Sequence, residues 1–80
     1  MRKVELEISA TDVRDHYLAS AIIDGQKKPA HEMILGANGE LRTSGGNPAR
    51  YFAPDDQLWW LAFAIEGAKS IRITGELKSA

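Results

Sequence analysis

The 80-residue sequence contains no cysteine, so neither disulfide bonds nor thiolate metal sites can stabilise it. Its only imidazoles belong to His16 and His31. A chain this short encloses one hydrophobic core and leaves a large share of its surface in water. We therefore expect a single domain over residues 1–80, with association between chains as the remaining source of buried area.

Long apolar runs and blocks of one charge are also missing. No stretch approaches the ~20 apolar residues that a membrane helix needs, and residues 1–10 alternate charged and aliphatic side chains, unlike a secretion signal. Ten basic and eleven acidic side chains are dispersed along the chain, whereas nucleic-acid binding usually shows as a basic stripe. We expect no membrane partner, no nucleic-acid partner and a cytoplasmic location.

Both ends of the chain show the alternation of a half-buried strand. Residues 3–9 alternate aliphatic with polar side chains, and residues 70–78 repeat the pattern. The outer face of the first segment carries Glu5 and Glu7, and that of the second carries Arg72 and Lys78. Opposite charges that face each other across paired strands are favourable. We therefore predict that the two terminal strands are neighbours in one sheet.

The segment from Thr11 to Asp24 permits two interpretations. Its apolar residues recur at helical spacing between a possible threonine or aspartate cap and Gly25, which favours a helix. A chain that ends in Asp24-Gly25 is also typical of a strand entering a tight hairpin, and short apolar runs do not separate the two. Residues 31–35 and 40–43, joined by a Gly-Ala-Asn-Gly turn, predict a second β-hairpin.

The clearest helix is predicted over residues 54–68. Pro54 suits a first turn, Asp55 and Asp56 complement the positive end of the helix dipole, and Gly67 supplies a stop. On a helical wheel one aliphatic stripe is sufficient to dock this helix on a sheet. The stripe consists of Leu58, Leu61, Ala62 and Ile65.

The predicted element order is β-α-β-β-α-β. This order resembles the ferredoxin-like fold, an α+β two-layer sandwich with two helices on one face of a four-stranded antiparallel sheet. The resemblance carries no sequence motif and so implies no function. If residues 12–24 are extended instead, the expected fold is an antiparallel β-meander with a single helix, residues 54–68, packed across it.

The aromatic residues of the predicted helix suggest a function. Trp59, Trp60 and Phe63 fall on the flank and back of the wheel, away from the aliphatic stripe. Exposed aromatic patches usually mark interfaces, although a neighbouring element could instead cover the rings. We expect a protein-interaction module that forms a homodimer or binds a protein partner as an inhibitor or regulator, with Tyr51 and Phe52 beside the three rings.

The alternative is a small-ligand-binding regulatory domain. A Gly-rich loop ends at Arg50, and Arg50, Asn47 and His31 form the plausible polar set. This loop lacks the Lys-Ser/Thr ending of a P-loop, and a flexible connector is the simpler explanation. We expect no cofactor, no metal site, because His16 and His31 lack the spacing of metal ligands, and no catalytic residues, because no dyad or triad is recognisable.

Overall fold

The computed structural model describes residues 2–43, 45 and 52–77, and for Phe52 it describes the backbone alone. These residues form seven strands and one short helix. The strands are β1 (Arg2–Ala10), β2 (His16–Ile23), β3 (Gln26–Lys27), β4 (His31–Leu35), β5 (Leu41–Thr43), β6 (Phe52–Pro54) and β7 (Ser70–Leu77). The helix α1 (Leu61–Ala64) lies between β6 and β7, and no helix in the described part of the chain could cross a membrane.

The strands pair antiparallel and form one nearly closed, barrel-like sheet. Their order is β5-β4-β2-β1-β7-β6, and β3 pairs with β2 on the same edge as β4. The gap between β3 and β4 contains Pro29, which has no N–H to donate to a ladder. The predicted pairing of the terminal strands is confirmed, since β1 and β7 are hydrogen-bonded neighbours with Glu7 opposite Arg72.

The core lies on the inner face of this sheet. Leu6 of β1, which is fully buried, lies between Ala21 of β2 and Ile73 of β7. Strand alternation places every second side chain of β1 and β2 inside, and one residue from outside the strands joins them. The buried apolar residues are Val4, Leu6, Ile8, Tyr17, Ala19, Ala21, Met33, Leu41 and Trp59.

The outer face carries a network of ion pairs centred on Glu7. Its carboxylate accepts hydrogen bonds from Lys27 of β3 at 2.7 Å and from Arg72 of β7 at 3.2 Å. Lys27 first, and Arg72 with it, hold the pKa of Glu7 below its usual value. Arg72 also lies 3.5 Å from Glu5, so the predicted charge pairing across β1 and β7 is confirmed for this arginine; Lys78 lies outside the described residues.

The predicted ferredoxin-like α+β sandwich is wrong, because the structure is mostly antiparallel strand with one four-residue helix. The helix favoured over residues 11–24 is absent, and residues 16–23 form β2 instead. Asp24 and Gly25 have φ angles of 51° and 78°, the geometry of a two-residue hairpin turn. Leu18 and Ile22 produced the helical spacing, but they lie on the outer face of β2, where alternate positions face away from the core.

The helix predicted over residues 54–68 is also wrong, because the helix in the structure is much shorter. The β-meander alternative included the same long helix and is wrong for that reason. Pro54 belongs to β6, and α1 begins only at Leu61. The amides of residues 61, 62 and 63 bond to carbonyls three residues earlier, which is a 3₁₀ pattern. Asp56 caps these turns by accepting the Leu58 N–H at 2.8 Å, and Gly67, with a φ of 71°, ends them as predicted. We call residues 57–66 the helical segment.

The hairpin predicted over residues 31–43 is confirmed by the pairing of β4 with β5. The Gly36 N–H donates to the Glu40 carbonyl oxygen at 2.8 Å and closes its turn. Gly39 has a φ of 82°, and a Cβ at this position would overlap the carbonyl oxygen of Gln57. The turn therefore packs tightly on the start of the helical segment, where only glycine fits.

Candidate functional site

The aromatic side chains of the helical segment point into the molecule. Trp59 is 2% exposed, and its indole N–H donates to the Gly39 carbonyl oxygen at 2.6 Å. Its ring packs edge-on against Tyr17, with centroids 4.9 Å apart, and Phe63 lies at the same distance from Tyr17. Trp60 is half-buried against the same core. These rings anchor the segment on β2 and on the β4–β5 turn.

The aliphatic stripe that was predicted to dock this segment lies partly on its outside. Leu58 is 57% exposed and Ile65 is 76% exposed, whereas Leu61 and Ala62 are half-buried. The predicted orientation is reversed for a physical reason: an aromatic ring buries about 150–250 Å², so turning the rings inward removes more apolar surface from water. A wheel drawn for a regular α-helix also misplaces side chains in a segment that begins with 3₁₀ turns.

The first of two grooves beside this segment has a volume of about 480 Å³ and lies between the segment and β7. Its lining is mainly aliphatic, and its charged residues include both acidic and basic side chains. The apolar lining residues are Leu58, Trp59, Leu61, Ala62, Ile65, Ile71 and Ile73, and the charged ones are Asp56, Glu66 and Arg72. We call it the aliphatic groove. Projecting apolar side chains and an apolar depression thus share one surface.

The second groove has a volume of about 470 Å³ and lies between the segment and the β1–β2 loop. Trp60 and Phe63 supply aromatic surface from the segment, while Arg14 and Asp15 supply charge from the loop. Tyr17 also lines the groove; burial raises the pKa of its phenol, and the charge of Asp15 raises it further. We call it the aromatic groove.

Hydrogen bonds fix the β1–β2 loop that borders the aromatic groove. The Thr11 hydroxyl accepts the Val13 N–H at 3.2 Å and donates to the His16 carbonyl oxygen at 2.9 Å. The Asp15 carbonyl oxygen accepts the Leu35 N–H of β4 at 2.9 Å, with Asp15 itself at a φ of 63°. The side chains of residues 14–16 therefore extend from a backbone whose position is set by β2 and β4.

The predicted partner-binding residues occupy different environments. Trp59 is buried, while Trp60 and Phe63 are half-buried and line the aromatic groove. Tyr51 lies outside the described residues, and Phe52 is described only as backbone in β6. That these five residues contact a partner stays a prediction.

The residues predicted to bind a small ligand are largely outside the described part of the chain, which omits both Asn47 and Arg50. His31 lies exposed at the start of β4, opposite Ala19 of β2. Residues 2–43, 45 and 52–77 contain no group of three or more side chains that could hold a metal ion. A ligand site at the Gly-rich loop therefore also stays a prediction.

Two features of these grooves were missed by the sequence reasoning. Leu58 and Ile65 were assigned to the core, and nothing local distinguishes them from core aliphatics. Arg14 and Asp15 were not among the predicted binding residues, and the segment that contains them was favoured as a helix. A signal existed there, since a threonine such as Thr11 favours turns as well as helix caps.

The chain matches no protein-family model, no curated protein and no solved structure. The comparisons therefore assign no function, and the proposals below rest on the geometry and chemistry of the two grooves.

Proposed function

We propose that this protein is a protein-interaction module that pairs with a second copy of itself through the aliphatic groove. The observation that carries the proposal is the position of Leu58 and Ile65, which project into water on the surface that contains an apolar groove. Large apolar side chains grouped on one surface typically mark an interface. A domain of 80 residues buries a smaller fraction of its surface than a large domain does, so extra buried area adds proportionally more to its stability.

Self-complementarity favours a second copy as the occupant. In a two-fold dimer the same patch must fit itself, so it must supply both a projecting group and the depression that receives it. Ile65, 76% exposed, is such a projecting group, and the space between α1 and β7 is such a depression. Glu66 and Arg72 add opposite charges to the same surface, and charges of opposite sign fix the register of two docked copies.

The size of the protein limits the area that an interface can bury. A specific interface buries ~800 Å² per partner, which is a sizeable part of the 5210 Å² surface of this protein. The aliphatic groove would form its centre, surrounded by polar surface. Interfaces of this area span Kd values from micromolar to picomolar. Since Leu58 and Ile65 are the large apolar groups that project here, we expect a reversible dimer at the micromolar end. A cytoplasmic location belongs to the same proposal and is supported by the lack of cysteine, since small secreted domains are commonly disulfide-rich.

Analytical ultracentrifugation of the wild type and of Ile65→Asp, from about 1 to about 500 μM, tests the proposal. The matched control is Val13→Asp, because Val13 is another large exposed aliphatic residue, 57% exposed, that lies on the aromatic groove instead. We expect a concentration-dependent dimer for the wild type and for Val13→Asp, and a monomer at every concentration for Ile65→Asp.

Thermal unfolding of each variant tests whether the fold persists, so that loss of dimer is not confused with loss of structure. A wild type that stays monomeric at the highest concentration would overturn self-association. A dimer that persists in Ile65→Asp would assign the interface to another surface.

A further inference from the structure

We propose that the aromatic groove binds a small aromatic zwitterion of the aromatic α-amino acid class. The proposal is independent of self-association, because the two grooves are lined by different residues. It rests on three properties of the groove: its size and aromatic wall, the two opposite charges that line it, and the fixed backbone that carries those charges.

The groove has the size and the apolar surface of a small-molecule site. Its volume of about 470 Å³ falls within the roughly 300–1,000 Å³ of ligand pockets. Trp60 and Phe63 are half-buried, so part of each ring is held by the core and part remains available to a ligand. Rings of this kind favour offset or edge-on contact with another aromatic group.

The charge of Arg14 is the second property. Arg2, Arg42 and Arg72 each pair with a carboxylate. The Arg14 guanidinium, by contrast, has no hydrogen bond or ion pair within the part of the chain that the structure describes. An arginine that pairs with none of the described residues, and that lies beside aromatic rings, offers two parallel N–H donors to a ligand carboxylate.

Asp15 adds the opposite charge to the same groove. Its carboxylate has no ion pair with Arg14 or with any other described residue. A ligand that was only an anion would be repelled by Asp15, and a ligand that was only a cation would be repelled by Arg14. A zwitterion offers a carboxylate to Arg14 and an ammonium group to Asp15, so both charges are satisfied together.

The backbone that carries these charges is already fixed. The bond from the Leu35 N–H to the Asp15 carbonyl oxygen ties the loop to β4, and the Thr11 hydroxyl bridges two points of the loop. A site that is held in place before binding loses less conformational entropy on binding.

Three probes separate the contributions of charge and ring. L-phenylalanine carries both charges, 3-phenylpropionate lacks the ammonium group, and phenethylamine lacks the carboxylate. Titrations followed by the tryptophan indole N–H signals in NMR locate the binding, since Trp60 lines this groove and Trp59 lines the other. We expect phenylalanine to shift the Trp60 signal and to bind about tenfold or more tightly than either single-charge probe.

Arg14→Gln and Asp15→Asn test the two charges without rebuilding the loop. Glutamine removes a guanidinium that has no partner among residues 2–43, 45 and 52–77, and asparagine is one of the residues that tolerates the positive φ of position 15. We expect each variant to weaken phenylalanine binding about tenfold. Arg14→Gln should leave phenethylamine binding unchanged or tighter, and Asp15→Asn should do the same for 3-phenylpropionate.

Several results would overturn the proposal. One is the absence of any Trp60 response to phenylalanine up to about 10 mM; another is phenylalanine binding that neither substitution weakens. Equal affinity for all three probes would show an apolar groove without charge recognition and would also reject it. Ile65→Asp should bind phenylalanine like the wild type, so failure of the dimer and failure of this site are distinguishable.

Discussion

Replacing Trp59 by phenylalanine should destabilise the fold much more than the same replacement at Trp60. The Trp59 indole is 2% exposed and donates its N–H to the buried Gly39 carbonyl oxygen. Phenylalanine leaves that oxygen without its donor, at a cost of ~1–3 kcal/mol, and the smaller ring leaves a cavity that costs ~1 kcal/mol more. We expect the free energy of unfolding to fall by about 2–4 kcal/mol.

The matched variant, Trp60→Phe, removes the same atoms from a half-buried ring. The Trp60 indole has no hydrogen bond to any described residue, so we expect a loss below about 1 kcal/mol. Urea unfolding followed by circular dichroism measures both values. In a domain of this size a loss of ~3 kcal/mol lowers Tm by roughly 12–24 °C. If Trp59→Phe proved no less stable than Trp60→Phe, Trp59 would not be the anchor of the helical segment.

Two further substitutions test the turn and the outer face. Gly39→Ala should cost more than about 1 kcal/mol in thermal unfolding, because alanine disfavours a φ of 82° and its Cβ would overlap the Gln57 carbonyl oxygen. Glu7→Gln should remove a stabilisation that depends on pH. Because Lys27 and Arg72 hold the folded-state pKa of Glu7 below 4.5, this stabilisation is present above pH 4.5 and is lost as the pH falls through the folded-state pKa.

Each of these two predictions has a result that would contradict it. A Gly39→Ala variant as stable as the wild type would contradict the tight packing of the β4–β5 turn on the helical segment. For Glu7, urea titrations from neutral pH to about pH 3 should show the wild type and Glu7→Gln converging in acid. The control is Glu32→Gln, which removes an exposed carboxylate that has no ion pair with a described residue. Wild-type and Glu7→Gln curves that stay parallel into acid would refute the role of the ion pairs.

The terminal strands could be predicted from the sequence because both local and pairwise signals agree there. Val4, Leu6 and Ile8 alternate with charged residues, so the inner face is explicit. The opposite charges of Glu7 and Arg72 then indicate which strands are neighbours. In β2 the corresponding signal is weak, since alanine occupies inner positions and larger aliphatics occupy outer ones. In the structure, the positive φ angles of residues 24 and 25 form the hairpin turn in which β2 ends.

The orientation of the helical segment could not be predicted because it depends on distant residues. The Trp59 N–H bonds to Gly39, twenty residues earlier in the chain, and its ring packs on Tyr17 of β2. None of these contacts is visible in the local pattern of residues 54–68. The surface that the segment exposes depends on the same contacts. Because the rings turn inward, the large apolar side chains that the segment exposes are Leu58 and Ile65.

Acrylamide quenching of Trp60→Phe, in which Trp59 is the sole tryptophan, tests this inward orientation most directly. We expect native Trp59 to be quenched far less than the free model compound N-acetyltryptophanamide, and to become as accessible as that compound once urea unfolds the chain. Native fluorescence that is quenched as strongly as the free compound would place Trp59 in water and contradict the orientation on which the aliphatic groove depends.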